Sequence, residues 1–197
     1  MPTPLESPRM KMRQRILREA TRQFVERGFD GVSIRDLAEA CQVTNAALYY
    51  HFPDKEHLFL EILEQGLENF TRILRNAREK YPASTQDCLK EFILGIFTQV
   101  PPESRGVMRL ATQEMEKLSP GLREKFKEIY AKEFLHPLEE ILREGQARGE
   151  VRPLPSNLLV WAFLGIFYPF LASESHPNFS ADTPEILLSI FWKGIQP

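Results

Sequence analysis

Tyr49, Tyr50 and His51 stand in a row, each an aromatic ring with a hydrogen-bonding tip. Consecutive helical residues point in different directions, so one core cannot absorb all three. Just ahead of them, Thr44 and Asn45 carry a hydroxyl and an amide able to bond phosphate oxygens or base edges. Ala46 and Ala47 are small enough to let a helix backbone approach another surface closely. Ser33 and Thr44 can each cap a helix, and Arg35 adds a cation to the first turn after Ser33. Helix N termini present free N–H groups and partial positive charge, both suited to phosphate. This is the chemistry of nucleic-acid recognition. The plainer reading of each feature alone is a short helix with an ordinary Ser or Thr cap.

Catalytic chemistry finds little support. The four histidines, His51, His57, His136 and His176, are scattered, with no HExxH or paired ExxH spacing, and GxSxG, P-loop and GxGxxG patterns are absent. No metal site and no cofactor is expected. Cys41 and Cys88 lie far apart without a CxxC, which argues against a disulfide framework and points to a reducing cytoplasm. Cys41 is expected to be a buried core thiol. The 197 residues are 43% hydrophobic and 26% charged, as in a globular protein with a sizeable core. A net charge of −2 excludes whole-surface attraction to nucleic acid but not a local basic patch. The first 27 residues hold seven basic and three acidic side chains, a surplus of +4, so the rest carries −6. The N-terminal MPTPLESPRM has no apolar run and reads as a mobile arm rather than a signal peptide. The longest apolar run, Leu158 to Ala172, is shorter than the ~20 residues a membrane span needs.

The elements that position these residues all have helical spacing, predicting an all-α chain of about nine helices. Ile16, Leu17, Ala20 and Phe24 form one stripe, ended by Gly28. Ser33 opens a second helix with Ile34, Leu37, Ala38 and Cys41 inward, and Asp36 completes a capping-box-like pair. A turn at Cys41-Gln42-Val43 leads to Thr44 and a third helix through about His51, which Pro53-Asp54 ends. Leu48 and Phe52 are its expected core anchors, with Val43, Phe24 and Leu37. Longer helices follow over about 54–80, 84–100, 103–117, 119–148 with a bend at Pro137, 156–173 and 183–194. The second and third helices with their sharp joint make a helix-turn-helix, whose second helix fits the major groove of B-DNA.

From about Arg9 to Gln65 the chain resembles the DNA-binding domain of TetR-family transcriptional regulators, most specifically in LYYHFPDKEHL. The resemblance implies an N-terminal arm (1–8), a DNA-binding domain (9–69, helix-turn-helix about 33–52) and a ligand-binding and dimerisation domain (70–197). It implies that Tyr49, Tyr50 and His51 contact the DNA backbone or its edge, that Lys55 grips a phosphate, and that Thr44, Asn45 and Ala46 lie closest to the bases. Gln42 departs from the pattern, standing where the family usually has glycine. A positive φ there would cost a non-glycine residue on the order of 1 kcal/mol.

The run from Leu158 is apolar all round, so it must be covered on more than one side. A partner chain is the simplest second cover, giving a two-fold four-helix bundle through Trp161, Ala162, Gly165, Ile166, Ile190 and Phe191. The alternative is a central helix of a monomeric bundle. Two copies would place recognition helices about 34–36 Å apart on a palindromic operator in double-stranded DNA. Phe70, Phe92, Ile96, Phe97, Met108, Met115, Phe126, Tyr130 and Phe134 exceed a minimal core and are candidates to line a cavity for an apolar or amphipathic effector. Glu114 and His136 are candidates to orient its polar end. Effector binding that displaces the helix from Asp54 would release DNA, with repression the default that the family implies. An all-helical enzyme and a DNA-independent interaction module are the competing classes.

Overall fold

The computed structural model describes residues 8–171, 180 and 182–197. The expected arm thus lies outside the described residues except Pro8, which opens the first helix, and so do Ala172, Ser173 and His176. Among the described residues all regular structure is helical. The first part of the chain forms α1 (Pro8–Arg27), α2 (Ile34–Ala40), α3 (Asn45–His51) and α4 (Lys55–Lys80). Then come α5 (Thr85–Gln99), α6 (Pro102–Arg105), α7 (Val107–Gln113) and α8 (Pro120–Tyr130). The last three are α9 (His136–Ala147), α10 (Ser156–Leu171) and α11 (Thr183–Ile195).

Helix boundaries follow from caps. Ser33 Oγ accepts the Asp36 N–H at 3.1 Å, Thr44 Oγ1 the Ala47 N–H at 3.1 Å and Asp54 Oδ1 the His57 N–H at 2.8 Å. Each satisfies an N-terminal amide that the helix cannot bond itself. Gly28 (φ 73°) and Gly149 (φ 75°) end α1 and α9 in the left-handed region. The turn after α2 has the same device without glycine. Val43 N–H bonds Ala38 O and Gln42 N–H bonds Glu39 O, both at 2.9 Å, which closes a Schellman motif around Gln42 at φ 51°. Among the described residues Gln42 is the sole non-glycine residue in that region. Replacing Gln42 by glycine removes the Cβ clash at the cost of a looser unfolded chain. It is expected to stabilise the protein by roughly 0.5–1 kcal/mol, measured as a higher thermal midpoint.

Two expected helices are subdivided. The 103–117 segment breaks at Gly106 into α6 and α7 and finishes in a 3-10 turn, Met115–Lys117. α8 and α9 join through a π-helical turn, Ala131–Leu135, just ahead of the bend expected at Pro137. Proline has no N–H and its ring collides with the carbonyl four residues back. Widening the preceding turn relieves that conflict, and the His136 N–H accordingly reaches Ala131 O.

The 26-residue α4, about 39 Å long at 1.5 Å per residue, is the spine. It packs on α1, α5, α7 and α8, and the expected boundary at 69/70 falls inside it. Buried residues run without a break from Ile16, Phe24, Leu37, Leu48 and Phe52 through Phe59 and Leu63 to Phe70 and Leu74. Phe24, Phe29 and Phe59 tie α1 to α4 as an aromatic trio with centroids 5.0–5.9 Å apart. Gly66 lets α7 approach α4, since a Cβ there would stand 2.4 Å from Val107 Cγ1.

The C-terminal core corrects the cavity expectation. Phe70, Phe92, Ile96, Met108, Phe126 and Phe134 are each at most 1% exposed. Phe92 meets Phe70, Phe134 and Phe163 with centroids 5.9–6.3 Å apart. These rings fill one another's space rather than line a void. Phe97 is half-buried with the Arg105 guanidinium 5.3 Å from its ring centroid. Of the nine candidates, Met115 and Tyr130 do border a surface cleft of about 380 Å³, shared with Trp161. Phe191 is also corrected: it is 3% exposed and packs on Phe163 at 5.1 Å within its own chain. Both cysteines are buried, and burial raises the pKa of each thiol.

Candidate nucleic-acid interface

α2 and α3 pack on each other and α2 packs on α1, so the three make one small unit. Leu37, Leu48 and Phe52 are at most 1% exposed and fix α3 from behind. Their burial leaves the rest of α3 outward. Thr44, Asn45 and Ala46 are exposed, Ala47 is half-buried, and Tyr49 and Tyr50 are 50% and 66% exposed. Ser33 and Arg35 are exposed at the start of α2. Eight of the ten expected interface residues therefore lie on the outer side of this unit or at its edge.

His51 is half-buried, and its Nδ1 is buried without a hydrogen-bond partner. Burial, then the positive charges of Arg9 and Arg13, hold its pKa below the ordinary 6.5, so the ring is neutral at pH 7. Its ring meets Tyr50 edge-on at 5.3 Å, and the Arg9 guanidinium sits 4.9 Å from the Tyr50 centroid. The start of α1 thus lies beside α3. Among the described residues Lys11, Arg15, Arg18, Arg27 and Arg35 make no ion pair, whereas Arg22 is held by Glu19 and Glu26. Arg13 has a structural task, pairing with Glu61 under the Phe52 ring at 4.8 Å. The basic surplus of the N-terminal segment is thus partly spent on packing and partly open.

Lys55 is placed differently from expectation. Its ammonium lies 4.1 Å from the Phe29 ring centroid, turned toward the junction with the later helices. Burial is the main influence on it and lowers its pKa, while Asp30 and Glu114 favour the charged form. Around it lies a polar clasp that sequence reasoning missed. Glu114 Oε2 accepts the Phe29 N–H at 2.5 Å, Lys117 pairs with Asp30, and Arg109 donates to Val25 O at 3.0 Å. Glu56 Oε2 accepts the Ser119 N–H at 2.7 Å. Glu114 therefore faces the helix-turn-helix unit rather than a cavity, and His136 is exposed at the joint before α9. No signal in the chain marks such a clasp, because its partners are 63 to 87 positions apart.

Two helices leave apolar surface in solvent. Leu158 and Trp161 on α10 are 59% and 49% exposed, and Ile186 and Ile190 on α11 are 53% and 59%. Ala162 and Gly165 are exposed beside them and Ile166 is half-buried. α10 and α11 pack together, so their stripes adjoin. Among the described residues no helix is long and apolar enough to cross a membrane, and no cluster of three His, Cys, Asp or Glu side chains could hold a metal.

Residues 16–62, from the middle of α1 into α4, match the family model for bacterial regulatory proteins of the tetR family. The transcriptional regulator AcrR of Shigella flexneri is 33% identical over 93 residues, covering 47% of this chain and 43% of AcrR. The chain thus matches under half the length of that relative. Other relatives are named transcriptional repressors. Among solved structures, the TetR-family regulator PfmR of Thermus thermophilus is 27% identical, with a TM-score of 0.72 and coverage of 89% and 94% of the two chains. AibR in complex with isovaleryl coenzyme A and operator DNA is 22% identical with a TM-score of 0.75, covering 94% and 98%, a likeness of fold. AcrR and PfmR are both named as transcriptional regulators. An exposed helix-turn-helix edge, a match across that unit and a shared fold beyond it agree: residues 16–62 carry a DNA-binding segment of the tetR-family type, and the chain as a whole resembles TetR-family transcriptional regulators.

Proposed function

We propose that the protein is a dimeric repressor that binds a palindromic operator through α2 and α3 and is released by a small-molecule effector. The observation that carries this reading is the outer side of α3. Thr44, Asn45, Ala46, Tyr49 and Tyr50 are solvent-exposed while Leu48 and Phe52 hold the helix rigidly from behind. A helix so mounted meets the major groove with its N-terminal residues at the bases and its tyrosines at the backbone. Arg35 and the cations of α1 that make no ion pair among the described residues supply phosphate attraction. In this reading 9–69 is the DNA-binding domain and 70–197 serves ligand binding and dimerisation. The clasp of Glu114 and Lys117 on Phe29 and Asp30 would transmit effector binding, because a ligand acts only through its preference for one of two arrangements. Lys55 would reach a phosphate by turning away from Phe29.

Fluorescence anisotropy with DNA flanking the gene, and with unrelated duplexes, tests this. Affinity is expected to fall steeply with salt, log against log. Tyr49→Phe or Tyr50→Ala should weaken all sequences alike, whereas Asn45→Ala should change base preference at one or two positions, each by roughly 1–3 kcal/mol. Salt-insensitive binding, or none to any duplex, sinks the reading. Activity surviving loss of the N-terminal 27 residues would favour the interaction module instead.

A further inference from the structure

The clefts beside α4 carry a chemistry that the aromatic core does not. Two adjoining clefts, about 300 and 240 Å³, lie between α4 and the π-helical turn with its flanking helices. They share Thr71 and Arg75 from α4 and Glu133 from the π turn. Thr71 Oγ1 is buried and has no hydrogen-bond partner, an uncommon and costly state for a hydroxyl. π turns, whatever opens them, are frequent at functional sites.

The other charged groups at these walls are largely occupied. Glu64 holds Lys125 at 3.1 Å, Arg78 holds Glu140 and Glu144, and Arg72 donates to Gln99 at 3.1 Å. Arg75 and Glu68 make no ion pair among the described residues, and Glu133 has only its exposed neighbour Lys132 at 3.3 Å. Arg75 and Glu133 stand on opposite walls without pairing with each other. An anionic ligand alone would leave Glu133 and Glu68 opposing it, and a cationic one would leave Arg75. A molecule carrying both charges answers both, and its hydroxyl-accepting end answers Thr71.

We propose that this cleft binds a zwitterionic amphiphile of amino-acid type. Its carboxylate meets the Arg75 guanidinium and accepts the Thr71 hydroxyl, and its ammonium donates to Glu133. Its apolar side chain enters the lobe of Leu74, Pro137 and Ile141. This deepens the effector half of the proposed function and rests on it for the consequence alone. Such a ligand would tie α4 to the π turn, some 16 positions and about 24 Å of rigid helix from Lys55.

The test is calorimetric titration of the full chain with each standard L-amino acid, with 4-methylpentanoate as the acid-only probe and isopentylamine as the amine-only probe. An apolar amino acid is expected to bind at least about tenfold more tightly than either truncated probe. Arg75→Gln and Glu133→Gln should each weaken it about tenfold or more, and Glu133→Gln should also erase the preference over the plain acid. Thr71→Val should weaken binding yet raise the thermal midpoint without ligand, which a purely structural hydroxyl would not do. No amino acid bound, the plain acid bound as well as the amino acid, or binding indifferent to Arg75→Gln and Glu133→Gln overturns the assignment. Operator anisotropy on the same samples separates the two readings. Operator binding without amino-acid binding refutes the cleft alone, and amino-acid binding without operator binding refutes the DNA reading alone.

Discussion

Replacing Trp161 and Ile190 together by glutamate is expected to leave a folded monomer whose operator affinity is lower by about 10²–10⁴-fold. Both side chains are about half or more exposed in the single chain, so glutamate there costs the monomer little. In a two-fold bundle the same positions are dehydrated, and each carboxylate would face its symmetry copy across the axis. Monomer binding loses the second recognition helix and with it the linked second half-site. Light scattering gives the mass and anisotropy the affinity. A variant that is monomeric yet binds operator with full affinity defeats the dimer reading, and one that remains dimeric moves the interface elsewhere. The exposed stripe on α10 was legible because a helix apolar all round needs two covers. Phe191 was misassigned for the same reason: apolarity identifies a buried face without saying whose chain buries it.

That distinction runs through the whole molecule. Local signals translated directly into structure, because caps and turns depend on residues three to five positions apart. Ser33, Thr44, Asp54 and Gly149 sit where their chemistry demands, and Gln42 adopts the left-handed φ expected from the sharp turn. Placing Leu48 and Phe52 inward also placed Tyr49 and Tyr50 outward, since α3 has a single buried side. What could not be read depends on distant partners. Lys55 sits at the start of α4 as expected, but Phe29 and Glu114 draw its ammonium toward the junction. Pro137 announced a disturbance, yet whether a helix kinks or widens into a π turn is decided by what packs against it. The aromatic residues of the later helices were recognisable as a set, while their mutual fit was not.

That fit yields the second large effect. Phe92→Ala is expected to destabilise the protein by about 3–5 kcal/mol, lowering the thermal midpoint by roughly 6–20 °C. Phe92 is 1% exposed and its ring touches those of Phe70, Phe134 and Phe163. Truncation removes the transfer energy of the ring, the aromatic contacts at about 0.5–1.5 kcal/mol each, and leaves a void among walls that are themselves interlocked. If these rings lined an open effector cavity instead, Phe92 would already face empty or hydrated space and its loss would cost far less. Phe97→Ala is the internal comparison, because that ring is half-buried and should cost roughly 1 kcal/mol. Urea unfolding in the Trp161→Glu, Ile190→Glu background keeps association out of the measurement. A void of this kind is apolar and stays dry, so benzene should restore part of the lost stability to Phe92→Ala and none to the parent. A small loss at Phe92, or a parent chain already stabilised by benzene, would return the effector to the aromatic core and away from the α4 cleft.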